Sequence, residues 1–288
     1  MKNICLVLLT LLFLNCKNDP RQESENEIDI HELMESQSKD SVKLGDQDLK
    51  SQEKSLAIEF KQNELMEKKD QRSAFQELII DNSYVLNKAD FTINFKYPLL
   101  NESLNTKNKN FNDFINMYYV NVSKTISEIK ESKLLCDSIA ASKFREDRFI
   151  DYKIYIVNDQ LVSVLFYKEN FYSGAMHPSY SFDGFNFDLN KGVFLTYEDI
   201  FVQGTEDELL DIINENIRKG DFYYECWEIS SSDFFMAKNN FVLNETYIAF
   251  YFDDCVMCPS YTGTYSIELP LVDLLSVLRK SNSNPLVF

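Results

Sequence analysis

Two spacings of apolar residues recur along the chain after residue 80, and each points to an element. Strict alternation marks a strand with one buried face. It appears at Phe91, Ile93 and Phe95 against Thr92, Asn94 and Lys96, a strand that Pro98 is expected to close. A three-and-four spacing comes next. Phe111, Phe114, Ile115, Tyr118, Val122, Ile126 and Ile129 share one stripe and predict a strong helix with Asn110 as its N-cap. Residues 152–157 and 161–167, rich in β-branched and aromatic side chains around Asn158-Asp159, read as a hairpin.

The stretch 171–201 organises the second half of the chain. Phe185, Phe187 and Leu189 alternate with Asn186 and Asp188, then Asn190-Lys191-Gly192 turns the chain into a return strand through Val193 and Leu195. Gly192 supplies the positive φ that such a turn needs. Thr205 with Glu208 forms a capping-box pattern ahead of Leu209, Ile212, Ile213 and Ile217, and Arg218-Lys219-Gly220 closes that helix. Residues 234–236, 241–243 and 247–252 read as three strands of a meander. A last strand at 265–269 meets Pro270, and Leu271, Leu274, Leu275 and Leu278 predict a closing helix. Short turns without a regular βαβ rhythm give the class α+β, helices packed on mainly antiparallel sheet.

The first 80 residues lack both spacings. Ile4 to Leu14 is an apolar run of eleven residues, too short to cross roughly 30 Å of hydrocarbon as a helix. With Lys2 before it, the run reads as a secretory signal at 1–15. Cys16, directly after it, resembles the lipobox cysteine of bacterial lipoproteins, which is acylated on its thiol; the alternative is an ordinary cleaved signal with an incidental cysteine. Residues 16–80 are rich in Glu, Asp, Lys, Gln and Ser, with no aromatic residue before Phe60, and read as a tether, disordered or helical. The body divides into an α+β part at 81–170 and a second part at 171–288.

The composition, 44% hydrophobic and 14% aromatic, is enough for a sizeable core. The net charge is −17, from 29 Lys+Arg against 46 Asp+Glu, which makes nucleic acid and anionic membrane surfaces poor partners and favours a cationic one. Cys136, Cys226, Cys255 and Cys258 remain after Cys5 in the signal and Cys16. In an exported protein they are most simply two disulfides of open connectivity. Cys255-Val256-Met257-Cys258 has two other readings, a redox pair or half a zinc site. Asp253 and Asp254 oppose the thiolate needed for the first, and the lack of a second pair argues against the second. His177 lies in a Gly-Ala-Met-His-Pro turn with no catalytic pattern beside it. No metal, cofactor or catalytic residue is assigned.

Three runs carry a resemblance: Ser173-Gly174-Ala175-Met176-His177-Pro178, then Asn186 to Gly192, then Leu195-Thr196-Tyr197-Glu198-Asp199-Ile200-Phe201. Together they look like the extracytoplasmic RsiV-like domain. Pro259-Ser260-Tyr261-Thr262-Gly263, leading to Ile267-Glu268-Leu269-Pro270, resembles that family's C-terminal element. The resemblance covers roughly residues 84–278. It implies a two-part α+β body and a non-catalytic binding module for a lysozyme-like protein or a cell-wall component, with Tyr172, His177 and Tyr261 as binding candidates. Because the family also accompanies peptidoglycan deacetylase domains, a hydrolase or deacetylase of wall glycan is the alternative. The chain departs from the family in Ala175, Met176, Cys255 and Cys258. Placement at a bacterial envelope, on its periplasmic or surface face, is the expected location.

Overall fold

The alternating stretches form six strands of one sheet: β1 (Ile79–Asn87), β2 (Phe91–Leu100), β3 (Glu146–Val157), β4 (Leu161–Phe171), β5 (Ser179–Asp188) and β6 (Val193–Leu195). The computed structural model describes residues 77–136, 142–220, 226–259, 262–263 and 265–280, all within the unit Leu56–Phe288. The expected signal at 1–15, Cys16, the tether up to residue 76 and Tyr261 lie outside the described residues.

The six strands lie in chain order, every neighbouring pair antiparallel except β2 and β3, which run parallel. A parallel pair needs a crossover, and the helical segment between β2 and β3 supplies it. It consists of α1 (Asn108–Phe114), a π-helical turn (Ile115–Val120) and α2 (Val122–Leu134). The strong helix predicted there is thus interrupted. The wider turn and the kink at Asn121, φ 27°, shift the stripe, so Tyr118 faces solvent while Tyr119 packs its ring 4.5 Å from Phe166. Asn110 is not the cap. Its Nδ2 donates to Gly192 O at 2.8 Å; α1 starts after Lys107 with no side-chain cap, and Asn121 caps only α2, its Oδ1 accepting from Lys124 N–H.

Leu165 and Tyr167 alternate with Val164 and Phe166, and the two sets enter different cores. Val164 and Phe166 join Phe111, Ile115 and Ile129 on the helix side. Leu165, Tyr167 and Phe182 meet Val242, Ala249, Tyr251 and Tyr265 on the other. β3 and β4 are therefore buried on both faces. The second layer is an antiparallel meander, β7 (Phe241–Leu243), β8 (Tyr247–Tyr251) and β9 (Ser266–Pro270). Leu209, Ile213 and Ile217 of a long helix, α4 (Glu206–Lys219), share a core with Phe241, Phe250, Ile267 and Leu269.

Polar side chains stitch the two sheets together. Ser163 Oγ donates to Asn186 Oδ1 at 2.7 Å and accepts from Leu243 N–H at 2.8 Å, while Asn186 Nδ2 donates to Phe241 O at 2.9 Å. Asn240 Oδ1 accepts from Gly184 N–H at 2.7 Å. Buried polar groups with full partners specify one docking of the layers. The boundary expected at residues 170/171 falls inside this arrangement, since β4 and β5 on either side of it pair along their length.

Four further expectations are not met. Residues 234–236 are not a strand but part of α5 (Ser231–Ala237), because Ser230 Oγ accepts from Asp233 N–H and starts a helical turn. Thr205 does not close a capping box; its Oγ1 donates to Val202 O at 2.6 Å. A box pattern occurs instead at α3 (Tyr197–Ile200), where Asp199 Oδ2 accepts from Thr196 N–H and Oγ1. The closing helix is a single 3-10 turn, Leu271–Leu274, after which Leu278 bridges to Phe201. Pro98 does not end β2. The partner β3 pairs only with Phe91 to Phe95, so Pro98 sits where a missing donor is tolerated.

Candidate binding site

Glu146 and Arg148 point inward from the start of β3, two residues apart and both buried. They pair through Glu146 Oε2 and Arg148 Nη2. A buried ion pair persists only when its remaining sites are also filled, and here they are filled by three elements. Glu146 Oε1 accepts from Ser132 Oγ of α2 at 3.1 Å and faces Ser173 N–H at 3.4 Å; Arg148 Nη1 donates to Phe171 O at 3.1 Å. The guanidinium lies 4.1 Å from the ring centroid of Tyr172.

Through these contacts the loop 172–178, which joins β4 to β5, has a fixed base. Ala175 N–H donates to Tyr172 O at 3.0 Å across a turn in which Gly174 takes φ 86°. The tip faces outward. Tyr172 is 47% exposed and Met176 93%, and His177 is exposed with Nδ1 3.1 Å from Pro178 O. The loop thus brings Tyr172 and His177 together.

Acidic groups gather on β4 and β5 and in the turn after β8. Asp183 Oδ2 accepts from Tyr119 OH at 2.6 Å and lies 3.5 Å from Lys168 Nζ, itself 3.6 Å from the Tyr119 ring centroid. Burial lowers the Lys168 ammonium from its usual range against the opposing pull of Asp183, and raises the Tyr119 phenol, with the Asp183 charge adding to the rise. Desolvation first, then the charges of Asp183 and Asp254, raise the Asp253 carboxyl, although that residue as a whole is exposed. Burial likewise raises the Tyr180 phenol, with Glu169 and Asp254 contributing. Neither the Glu146–Arg148 pair nor this network was legible in the sequence, where a charge on a strand carries no mark of the face it takes.

The cysteines do not pair as two bridges among the four in the body. Cys226 and Cys258 are joined, with Cα atoms 4.4 Å apart. Cys136 is a free, half-buried thiol 3.5 Å from Ser132 O. The fold explains this: Cys136 packs in the helix-side core, while Cys226 and Cys258 belong to the core between the meander and α4. Among the described residues no cluster of three or more His, Cys, Asp or Glu is placed to hold a metal ion.

No family model matches the chain. Two solved structures resemble it: a protein from Bacteroides fragilis NCTC 9343 (TM-score 0.47, 17% identity, 71% of this chain and 94% of that one) and another from Pseudomonas aeruginosa PAO1 (0.48, 13%, 72% and 95%). Both are DUF3298 family proteins. A distant relative in sequence is the peptidoglycan-N-acetylmuramic acid deacetylase PdaC of Bacillus subtilis (strain 168), 26% identical over 147 residues. That match takes in 47% of this chain but 30% of PdaC, so the chain spans under a third of that relative.

Proposed function

We propose that this chain is a non-catalytic binding module of the RsiV-like kind, held at a bacterial envelope by lipid on Cys16. Its loop 172–178 is presented to a cationic protein of the lysozyme class or to a cell-wall component. The observation that carries the reading is the loop itself, braced beneath by the Glu146–Arg148 pair and exposed at Tyr172, Met176 and His177. Preorganised loops with exposed aromatic groups bind at low ordering cost. The net charge of −17 supports a basic partner.

The test is surface-immobilised binding of lysozyme, with cytochrome c as a control of similar charge, at low and physiological salt. Selective lysozyme binding that persists once screening has shortened to about 8 Å, and that weakens at least tenfold in Tyr172→Ala/His177→Ala, is the expected result. Equal capture of both proteins, or loss of all binding at physiological salt, rejects the reading.

A second reading, a wall-glycan hydrolase or deacetylase, is favoured by the partial similarity to PdaC. Acetate or reducing ends released from cell-wall material in the presence of divalent metals, above a heat-killed control, would establish it in place of the first.

A further inference from the structure

The two sheets have four edges, and three of them are short or interrupted. β6 and β7 are three residues long, and β9 has five residues, including exposed Glu268 and the terminal Pro270. Such features are how proteins discourage strand addition at an edge. β1 has only one of them, the exposed carboxylate of Asp81. It runs nine residues, Ile-Ile-Asp-Asn-Ser-Tyr-Val-Leu-Asn, in unbroken register with β2, without proline, lysine or bulge. Its exposed side chains include Ile80 (46%) and Val85 (60%). Among the described residues no other strand pairs with it. Of its amides, Ser83 N–H is held by the neighbouring Asn82 Oδ1 at 2.8 Å, an exposed bond that an incoming strand could replace at small cost.

We propose that β1 is a homodimerisation edge, at which a second copy of this chain adds its own β1 antiparallel and continues the sheet across the two molecules. The sequence of β1 is self-complementary in the register of full overlap. A two-fold axis through Ser83 then sets Ile80 opposite Leu86, Asn82 opposite Tyr84 and Asp81 opposite Val85. The single charge of the strand, Asp81, never faces its own copy, so the repulsion that like cross-strand charges would create is absent. Ile80, Tyr84 and Leu86 lie on one face of the strand, and Tyr84 and Leu86 already pack against the helix-side core. Pairing would extend that core over Ile80. The symmetry also closes, because an isologous edge pair uses both edges and leaves none for further addition.

The axis makes the test specific. Residues opposite each other in an antiparallel pair have Cα atoms roughly 4.5–5.5 Å apart, inside the range a disulfide spans. In the full chain, Ser83→Cys is expected to give a covalent dimer on mild oxidation. Val85→Cys, opposite Asp81 and not itself, is expected to give none, with the unmodified chain, which retains Cys136, as background. Light scattering of the unmodified full chain at high micromolar concentration is expected to give twice the monomer mass. Ser83→Lys, which sets two ammonium groups face to face, is expected to give the monomer mass with an unchanged thermal midpoint at low concentration. A monomeric unmodified chain, a dimer that survives Ser83→Lys, or equal cross-linking at 83 and 85 would overturn the proposal. Dimer mass without position-specific cross-linking would overturn it too, by assigning the association to another surface.

Discussion

A methyl group on residue 184 would meet the backbone of β7, 2.5 Å from Phe241 O and 2.8 Å from its carbonyl carbon. The neighbour is main chain already bonded to Asn186, so it has little room to withdraw. Gly184→Ala is therefore expected to destabilise the fold by about 1–3 kcal/mol, the usual cost of overpacking. Urea titration would measure it, and a midpoint within error of the parent would remove the close approach from the account. The alternation of Phe185, Phe187 and Leu189 predicted a strand just after this position but said nothing about what would lie on it. Tyr172 and His177 stand together because they share one short turn. What braces them, Glu146 and Arg148, comes from a strand far back in the chain.

At the level of elements, local patterns succeeded where one face of one element decided the outcome. The hairpin at β3 and β4, the turn at Gly192 and the stripe of α4 formed as their spacings required. They failed where a neighbour competed for the same groups: Asn110 was drawn to Gly192 O, and Thr205 to Val202 O. Residues 234–236 illustrate a different limit, since a three-residue apolar run has no period to read. The Cys226–Cys258 bridge, 32 residues apart in sequence, ties the segment after α4 to the turn after β8. Closing a loop of that size restricts the unfolded chain by about 3–4 kcal/mol. Cys226→Ser/Cys258→Ser is expected to lower stability by that order in denaturant titration, and a loss below about 1 kcal/mol would show that the bridge adds little. In the unreduced parent, maleimide should label Cys136 and spare Cys226 and Cys258.

For the whole molecule, the proposed lipid attachment makes its own prediction: Cys16→Ser is expected to move the chain from the membrane fraction to the soluble one, as read by immunoblot. Continued sedimentation with membranes would count against it. Among the described residues no helix is long and apolar enough to cross a membrane. The sequence by itself determined the α+β class, the face most strands bury and the acidic field, because each depends on side-chain type at local spacing or on a sum over the chain. Only the tertiary structure decided which strands pair, that β2 and β3 run parallel, that Cys136 stays apart from Cys226 and Cys258, and that an ion pair lies under the loop at 172–178. Those outcomes rest on contacts between residues distant in sequence, such as Ser163 with Leu243, whose separation of 80 residues leaves no local periodicity to reveal them.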